Sequence, residues 1–96
     1  MIIVSLTYKV PLDVVDSHRP AHMTWLDEAI AAGWLLAAGR KSPPTGGVLI
    51  ARGERSAIEA LITGDPYHVH GVADYEIIEF LPGKVAPDVK VESLLG

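Results

Sequence analysis

RPAHMTWLDEAIAAG, residues 19–33, is the segment around which the fold is predicted, because its apolar residues recur at the spacing of one helix face. Pro20 suits the first turn of a helix, since its missing N–H would have no partner there. Gly33 is typical of the residue that ends a helix. The predicted inward face consists of His22, Trp25, Leu26, Ala29, Ile30 and Gly33. The segment therefore predicts an amphipathic helix that turns an imidazole ring toward the core.

The segments around this helix predict strands. Residues 2–9 alternate in hydrophobicity, as expected for a strand with one buried face. The inward face of that strand consists of Ile2, Val4, Leu6 and Tyr8. Residues 34–40 form an apolar run of the length expected for a buried strand. The glycines and prolines of SPPTGG, residues 42–47, predict a loop. Further strands are expected over residues 48–52 and 73–81.

The remaining segments predict a second helix and two short turns. Residues 54–63 form a helical pattern that ends at Gly64. Its inward residues are Ile58, Leu61 and Ile62. Residues 12–16 predict a turn or a short helical lead-in. In the connector DPYHVHG, residues 65–71, the Asp-Pro pair can open a single helical turn.

The order of the main elements is β-α-β-β-α-β, which is the ferredoxin-like pattern of the α+β class. An antiparallel four-stranded sheet is expected, and right-handed connections place both helices on one of its faces. The opposite face then carries apolar residues that nothing in the chain covers. Because such a surface is usually covered by a partner, we predict a homodimer that pairs sheet to sheet.

Length and composition predict a single domain over residues 1–96, with its core at about residues 1–82 and a tail at residues 83–96. Hydrophobic residues make up 49% of the chain and charged residues 21%, a balance that favours a folded protein over a disordered one. The substantial apolar side chains of the tail are Val89, Leu94 and Leu95.

Charge and composition exclude several classes of function. The net charge is −4 and the eight Lys and Arg residues are scattered, which argues against nucleic-acid binding. The chain has no cysteine, so thiolate nucleophiles and disulfides are excluded. The first residues do not resemble a signal peptide, and no apolar run approaches the roughly 20 residues of a membrane span. We therefore expect a cytoplasmic protein with neither a membrane nor a nucleic acid as partner.

His22 needs a polar partner, because a titratable ring that faces a core is costly to bury alone. Asp65 lies just past the second predicted helix, and it can approach His22 if the chain directions agree, since both helices lie on one face of the predicted sheet. A carboxylate against one imidazole nitrogen fixes the tautomer and leaves the other nitrogen able to take a proton. The alternative is a histidine at the edge of the core that bonds to a backbone carbonyl.

Asp65 has a structural alternative of its own. Asp followed by Pro is a favourable pair at a helix start, so Asp65 can act as a helix cap alone. The two roles are compatible, because backbone donors keep a carboxylate ionised while another lone pair faces His22.

Four short motifs resemble those of the YCII-related proteins, a family of small ferredoxin-like chains. The motifs are RPAHMTWL at residues 19–26, GR at 39–40, GG at 46–47 and DPY at 65–67. The resemblance extends from the first strand to about residue 81. It implies a dimeric α+β barrel with an active site built on a histidine and an aspartate, which match His22 and Asp65. The family commonly carries Phe after Asp-Pro, and Tyr67 departs from this by adding a hydroxyl group.

The resemblance implies acid–base chemistry more clearly than it implies a substrate. Elimination of chloride from chlorinated aromatic compounds is one implied activity, and more distant relatives isomerise lactones. We expect a cofactor-free enzyme in which Asp65 orients His22 as general acid/base. Arg19 and Tyr67 would bind a small organic substrate, although Arg19 could instead be an exposed residue at a helix start. The alternative function is a non-catalytic module that binds a small ligand or serves as an accessory protein.

Other candidate groups have less support. His68 and His70 could join His22 and Asp65 as zinc ligands. They lie in an irregular connector outside the family's motifs, so no metal is expected. The loop at residues 42–47 could close over a pocket, but no G-x-S-x-G motif marks a serine nucleophile there. Glycine motifs that bind nucleotide phosphates are absent from the sequence.

Overall fold

The computed structural model describes residues 1–90, and in these residues the elements follow the order βααββααβ. The strands are β1 (Ile2–Tyr8), β2 (Leu35–Arg40), β3 (Gly46–Ala51) and β4 (Ala73–Glu79). The helices are α1 (Leu12–Ser17), α2 (Arg19–Ala32), α3 (Arg55–Ile62) and α4 (Pro66–Val69). The predicted α+β class is confirmed, and the lead-in and the connector form the two short helices. Leu94 and Leu95 of the tail lie outside the described residues.

The sheet is antiparallel throughout, and its strands lie in the order β2-β3-β1-β4. Val4 of the central strand β1 pairs with Leu49 on one side and Ile77 on the other. Ile2, Val4 and Leu6 are buried on the inner face of β1, as the alternation of the sequence predicts. This strand order and the four antiparallel strands confirm the ferredoxin-like arrangement.

The two long helices pack on the inner face of the sheet through narrow stripes. The buried side chains of α2 are His22, Leu26 and Ala29. Gly33 ends this helix with a φ of 91°, a left-handed conformation that favours glycine. In α3 the buried side chains are Ile58 and Ile62. No helix within residues 1–90 is both long enough and apolar enough to cross a membrane.

Two residues that the sequence predicts to face inward are exposed instead. Ile30 is 51% exposed and Leu61 is 41% exposed. Each is next in sequence to a buried residue of its helix, Ala29 or Ile62. Neighbouring residues on a helix are rotated by about 100°, so only one of the two can point at the sheet. The predicted inward stripe of each helix was therefore too wide.

The prediction that β2 is a buried strand is wrong. This strand lies at the edge of the sheet, and Leu35 is its one buried residue, whereas residues 37–39 are exposed. A register shift between Leu35 and Ala37 interrupts its pairing with β3. β3 also begins earlier than predicted, because Gly46 and Gly47 pair with β1 instead of belonging to the loop. An apolar run alone does not distinguish an edge strand from a central one.

The face of the sheet that points away from the helices carries apolar side chains. Ile3 of β1 pairs with Ile50 of β3 and with Ile78 of β4, so the three isoleucines lie side by side. Ile78 is exposed, and the other two are partly exposed. This is the face that the predicted homodimer would bury, and the dimer stays a prediction.

Gly46→Ala is expected to lower the free energy of unfolding by about 2–3 kcal/mol, near the upper end of the usual cost of overpacking. A Cβ atom at this position would overlap the backbone carbonyl of Leu6, which is held in the pairing of β1 with β3. Gly39→Ala is the matched control, because its Cβ would meet no atom within 4 Å. Urea unfolding measures both variants, and equal losses of stability would contradict this close approach.

Candidate active site

His22 and Asp65 meet between the first turns of α2 and α4. The backbone N–H of His22 donates to the carbonyl of His18 at 3.1 Å, which fixes the ring's position in the first turn of α2. Its Nδ1 atom lies 2.6 Å from Oδ1 of Asp65. His22 is 8% exposed and Asp65 is fully buried. The two residues, 43 positions apart in the chain, form a buried hydrogen-bonded pair.

Asp65 also caps α4, so its two proposed roles coexist. Its Oδ1 atom accepts the backbone N–H of Tyr67 at 3.0 Å, which is the bond expected of a helix cap. Its Oδ2 atom accepts the hydroxyl of Tyr75. Sequence reasoning missed Tyr75 as a part of this site. The available signal was its inward position in the fourth strand, since a buried tyrosine hydroxyl usually finds a partner.

The three donors around Asp65 decide the tautomer of His22. Asp65 accepts hydrogen bonds from Tyr67 and Tyr75, and an ionised carboxylate has no proton to donate. The proton in its short contact with His22 must therefore be on Nδ1. Burial and the hydrogen bond to Asp65 raise the pKa of Tyr75, which keeps its hydroxyl a donor. The Nε2 atom of His22 is then the basic nitrogen.

Tyr67 holds the plane of the His22 ring. The two rings stack with centroids 3.8 Å apart and an angle of 7° between their planes. The ring of Tyr8 meets Tyr67 edge-on at 6.0 Å on another side. Burial raises the pKa of Tyr67, so its hydroxyl stays protonated near neutral pH. Tyr67 was proposed from the sequence to bind substrate, and it lies in the same pocket as His22.

A pocket of about 140 Å³ lies between α2 and the inner face of β1, β2 and β3. Its polar lining residues are Tyr8, Arg19, His22, Arg40 and Tyr67. Within residues 1–90, every fully buried side-chain nitrogen or oxygen has a hydrogen-bond partner. Nε2 of His22 makes no hydrogen bond, so it is not fully buried, and His22 is one of the residues that line the pocket. The basic nitrogen is therefore open to a ligand.

Two arginines line this pocket in different ways. Arg19, the substrate-binding candidate from the sequence, is an exposed residue at the start of α2. Arg40 was not a candidate, and it is held more firmly. Its Nε donates to the hydroxyl of Tyr8 at 3.2 Å and its Nη2 donates to Asp16. The hydrogen bond to Asp16 raises the pKa of Arg40, which therefore keeps its charge.

The two histidines of the connector do not join His22. The ring of His70 stacks on that of His18 with centroids 4.0 Å apart, and His68 meets Tyr75 edge-on at 5.6 Å. In the part of the chain that the structure describes, no three His, Asp or Glu side chains are grouped as a metal site would need. Residues 42–45 of the predicted loop do not line the pocket.

Tyr75→Phe is expected to lower the free energy of unfolding by about 1.5–3 kcal/mol at neutral pH, the usual worth of a hydrogen bond to a charged group. The pKa of Tyr75 is raised in the folded state, so its stabilisation is complete below about pH 10 and is lost as the pH rises further. The difference between wild type and variant should therefore shrink above about pH 10. Urea unfolding across this range measures it, and a constant difference would contradict the shift.

The fold is similar to that of a solved enzyme. The structure of 5-chloro-2-hydroxyhydroquinone dehydrochlorinase from Burkholderia phenoliruptrix, in complex with 2,5-dihydroxybenzoquinone, matches with a TM-score of 0.68. The two sequences are 17% identical, and the match covers 83% of this chain and 93% of the other. At this level of identity the likeness shows the fold. No protein among the curated sequences matches the chain.

The sequence itself matches a described family over most of its length. Residues 1–81 match the YCII-related domain, which includes all four strands and the His22–Asp65 pair. The resemblance that the motifs at residues 19–26 and 65–67 suggested is confirmed. The chain belongs to the family of YCII-related proteins.

Proposed function

We propose that the chain is a small acid–base enzyme that uses His22 as its general base and acid, with Asp65 as the residue that orients it. One observation carries the proposal: His22 lines a pocket and its Nε2 atom is neither hydrogen-bonded nor fully buried, while its Nδ1 atom is held by a buried carboxylate. A histidine that only stabilised a core would have both nitrogens paired or sealed. The chemistry that we propose uses neither a cofactor nor a metal.

The proposed step is transfer of a proton from carbon. Nε2 of His22 takes a proton from a carbon next to a carbonyl group, and the C–H electrons form the double bond of an enolate. The carbonyl oxygen then carries the negative charge, which a nearby cation stabilises. Return of the proton at another position gives an isomer, and loss of a leaving group from the neighbouring carbon gives an elimination product. Isomerisation, elimination and lactone-type reactions share this first step.

The size of the pocket restricts the substrate. A cavity of about 150 Å³ holds a benzene molecule, so 140 Å³ suits a compound of about one six-membered ring. The similar dehydrochlorinase was solved with a quinone of that size. This agreement supports a small cyclic, oxygenated substrate for the present chain.

The test is deuterium exchange in heavy water. Wild-type protein is incubated with a panel of small cyclic ketones and lactones, and NMR detects the deuterium that appears next to the carbonyl group. We expect saturable exchange with at least one member of the panel. His22→Gln keeps the polarity and approximate size of the side chain but cannot relay a proton, so it should bind the same compound without exchange.

A non-catalytic ligand-binding module is the competing function, and the open pocket is compatible with it. Its signature in the same experiment is binding without exchange in the wild-type protein. If His22→Gln exchanged deuterium as fast as wild type, His22 would not be the base.

A further inference from the structure

The charged side chains that line the pocket are opposite in sign to the net charge of the chain. The chain carries a net charge of −4, yet the lining of the pocket includes two guanidinium groups and no carboxylate. Asp65 is fully buried, does not line the pocket, and accepts from three donors. The charged side chains that line this pocket are therefore both cationic, in spite of the acidic composition of the chain.

Arg40 is oriented before any ligand arrives. Its guanidinium lies 5.7 Å from the centre of the Tyr8 ring, and its Nε bonds to the hydroxyl of the same residue. Asp16 holds Nη2 and is not among the residues that line the pocket. The hydrogen bonds of Arg40 to Tyr8 and Asp16 use Nε and Nη2 and do not involve Nη1. A guanidinium fixed at two of its nitrogens loses little conformational entropy when the third binds an oxyanion.

Arg40 and His22 lie in the same pocket and are linked through Tyr67. Tyr67 stacks on His22, and the guanidinium of Arg40 opposes the rise that burial causes in the pKa of Tyr67. The phenol of Tyr67 is therefore close to both groups. A planar ligand that reaches the basic nitrogen of His22 can present a charged oxygen to Arg40.

We propose that the pocket binds small planar oxyanions, carboxylates or enolates on about one six-membered ring, and that Arg40 binds the charged end. This inference rests on the proposed function only for the role of His22, since anion binding is measurable without catalysis. It assigns to Arg40 the role that sequence reasoning gave to Arg19. Arg19 adds positive charge to the lining of the pocket, but its side chain is exposed and makes no hydrogen bond in the structure.

The test compares ligands that differ in charge and little in shape. Sodium benzoate and neutral benzamide probe a carboxylate, while cyclohexane-1,3-dione, an enolate at neutral pH, and cyclohexanone probe an enolate. Isothermal titration measures each with the wild-type protein. We expect at least one anion to bind about tenfold more tightly than its neutral partner, as charged hydrogen bonds allow. The pair that shows the difference tells whether carboxylates or enolates are preferred.

Variants assign the effect to Arg40. Arg40→Gln should weaken binding of the preferred anion about tenfold and leave the neutral ligand within about twofold. Arg55→Gln removes the same charge at an exposed pair with Glu59, outside the pocket, and should change neither affinity. Arg40→Lys keeps the charge without the planar fork and should give an intermediate loss. It is also the second variant if Arg40→Gln does not fold without its pair to Asp16.

Three results would overturn the proposal. They are equal binding of anion and neutral partner by the wild type, no binding of any of the four ligands, and equal losses for the variants at positions 40 and 55. If the wild type preferred the anion to its neutral partner but exchanged no deuterium, the anion site would stand and the proposed enzyme activity would not. If it exchanged deuterium without preferring the anion, the enzyme activity would stand and the anion site would not. The two proposals therefore fail separately.

Discussion

His22→Ala is expected to lower the rate of deuterium exchange by about 10²–10⁴-fold, the usual contribution of a positioned general base. The loss follows from the structure, because no other group in the pocket can take its place. Tyr8 and Tyr67 present phenols, and the two arginines that complete the polar lining carry no basic lone pair near neutral pH. The variant removes a ring whose neighbours, Tyr67 and Asp65, remain to define a space of its shape.

The cavity that His22→Ala leaves allows a rescue experiment, which is the control for this prediction. Free imidazole added to His22→Ala should enter the gap and restore part of the exchange rate, whereas it should not raise the rate of wild type. His70→Ala removes an exposed ring that stacks on His18 outside the pocket, and it should leave the rate unchanged. If His22→Ala and His70→Ala gave the same rate, catalysis would have to be sought elsewhere in the chain.

Asp65→Ala is expected to lower the free energy of unfolding by about 3–5 kcal/mol, because it leaves three donors without their acceptor at about 1–3 kcal/mol for each buried group. The substitution leaves the Nδ1–H of His22 and the hydroxyl of Tyr75 without their acceptor. It also removes the cap of α4, since the backbone N–H of Tyr67 loses its bond. Because three donors lose the same acceptor, the loss of stability should exceed that caused by removing an ordinary helix cap.

Urea unfolding measures this loss, and two further variants interpret it. Asp65→Asn keeps one carbonyl oxygen and should cost less than Asp65→Ala, although its NH₂ group meets donors where the wild type has an acceptor. Asp74→Ala removes an exposed carboxylate that pairs with Lys9, and it should change stability by about 0–1 kcal/mol. A loss for Asp65→Ala as small as that for Asp74→Ala would mean that the buried network contributes little.

The elements that the sequence predicts well are those with strong local signals. The helix from Arg19 ends at Gly33, which adopts the left-handed backbone conformation that glycine favours. The alternation of apolar residues in β1 determines which of its faces is buried. The predictions that were wrong concern where a strand lies in the assembled sheet. The apolar run of β2 is equally compatible with a buried strand, and its edge position depends on pairing with β3 that no local pattern encodes.

The same division holds for the candidate site. His22 was visible as a polar residue in an apolar stripe, and Asp65 as the residue before Pro66, and the family resemblance linked them. Tyr75 and Arg40 were not found, because their approach depends on which strands are neighbours and on their register. Long-range pairing brings Tyr75 to within a hydrogen bond of Asp65, and its inward position in the strand does not indicate which residue is its partner.

The scatter of the site along the chain has a consequence for how it can be inherited. The side chains of His22, Asp65, Tyr67 and Tyr75 come from α2, from α4 and the residue that caps it, and from β4, and His22 and Asp65 lie 43 positions apart. Recombination that exchanged a short segment with another gene would carry His22 without Asp65, or Asp65 without His22. The site, and with it the proposed chemistry, can therefore pass between genes only with the whole domain, whereas point substitutions can still adjust it.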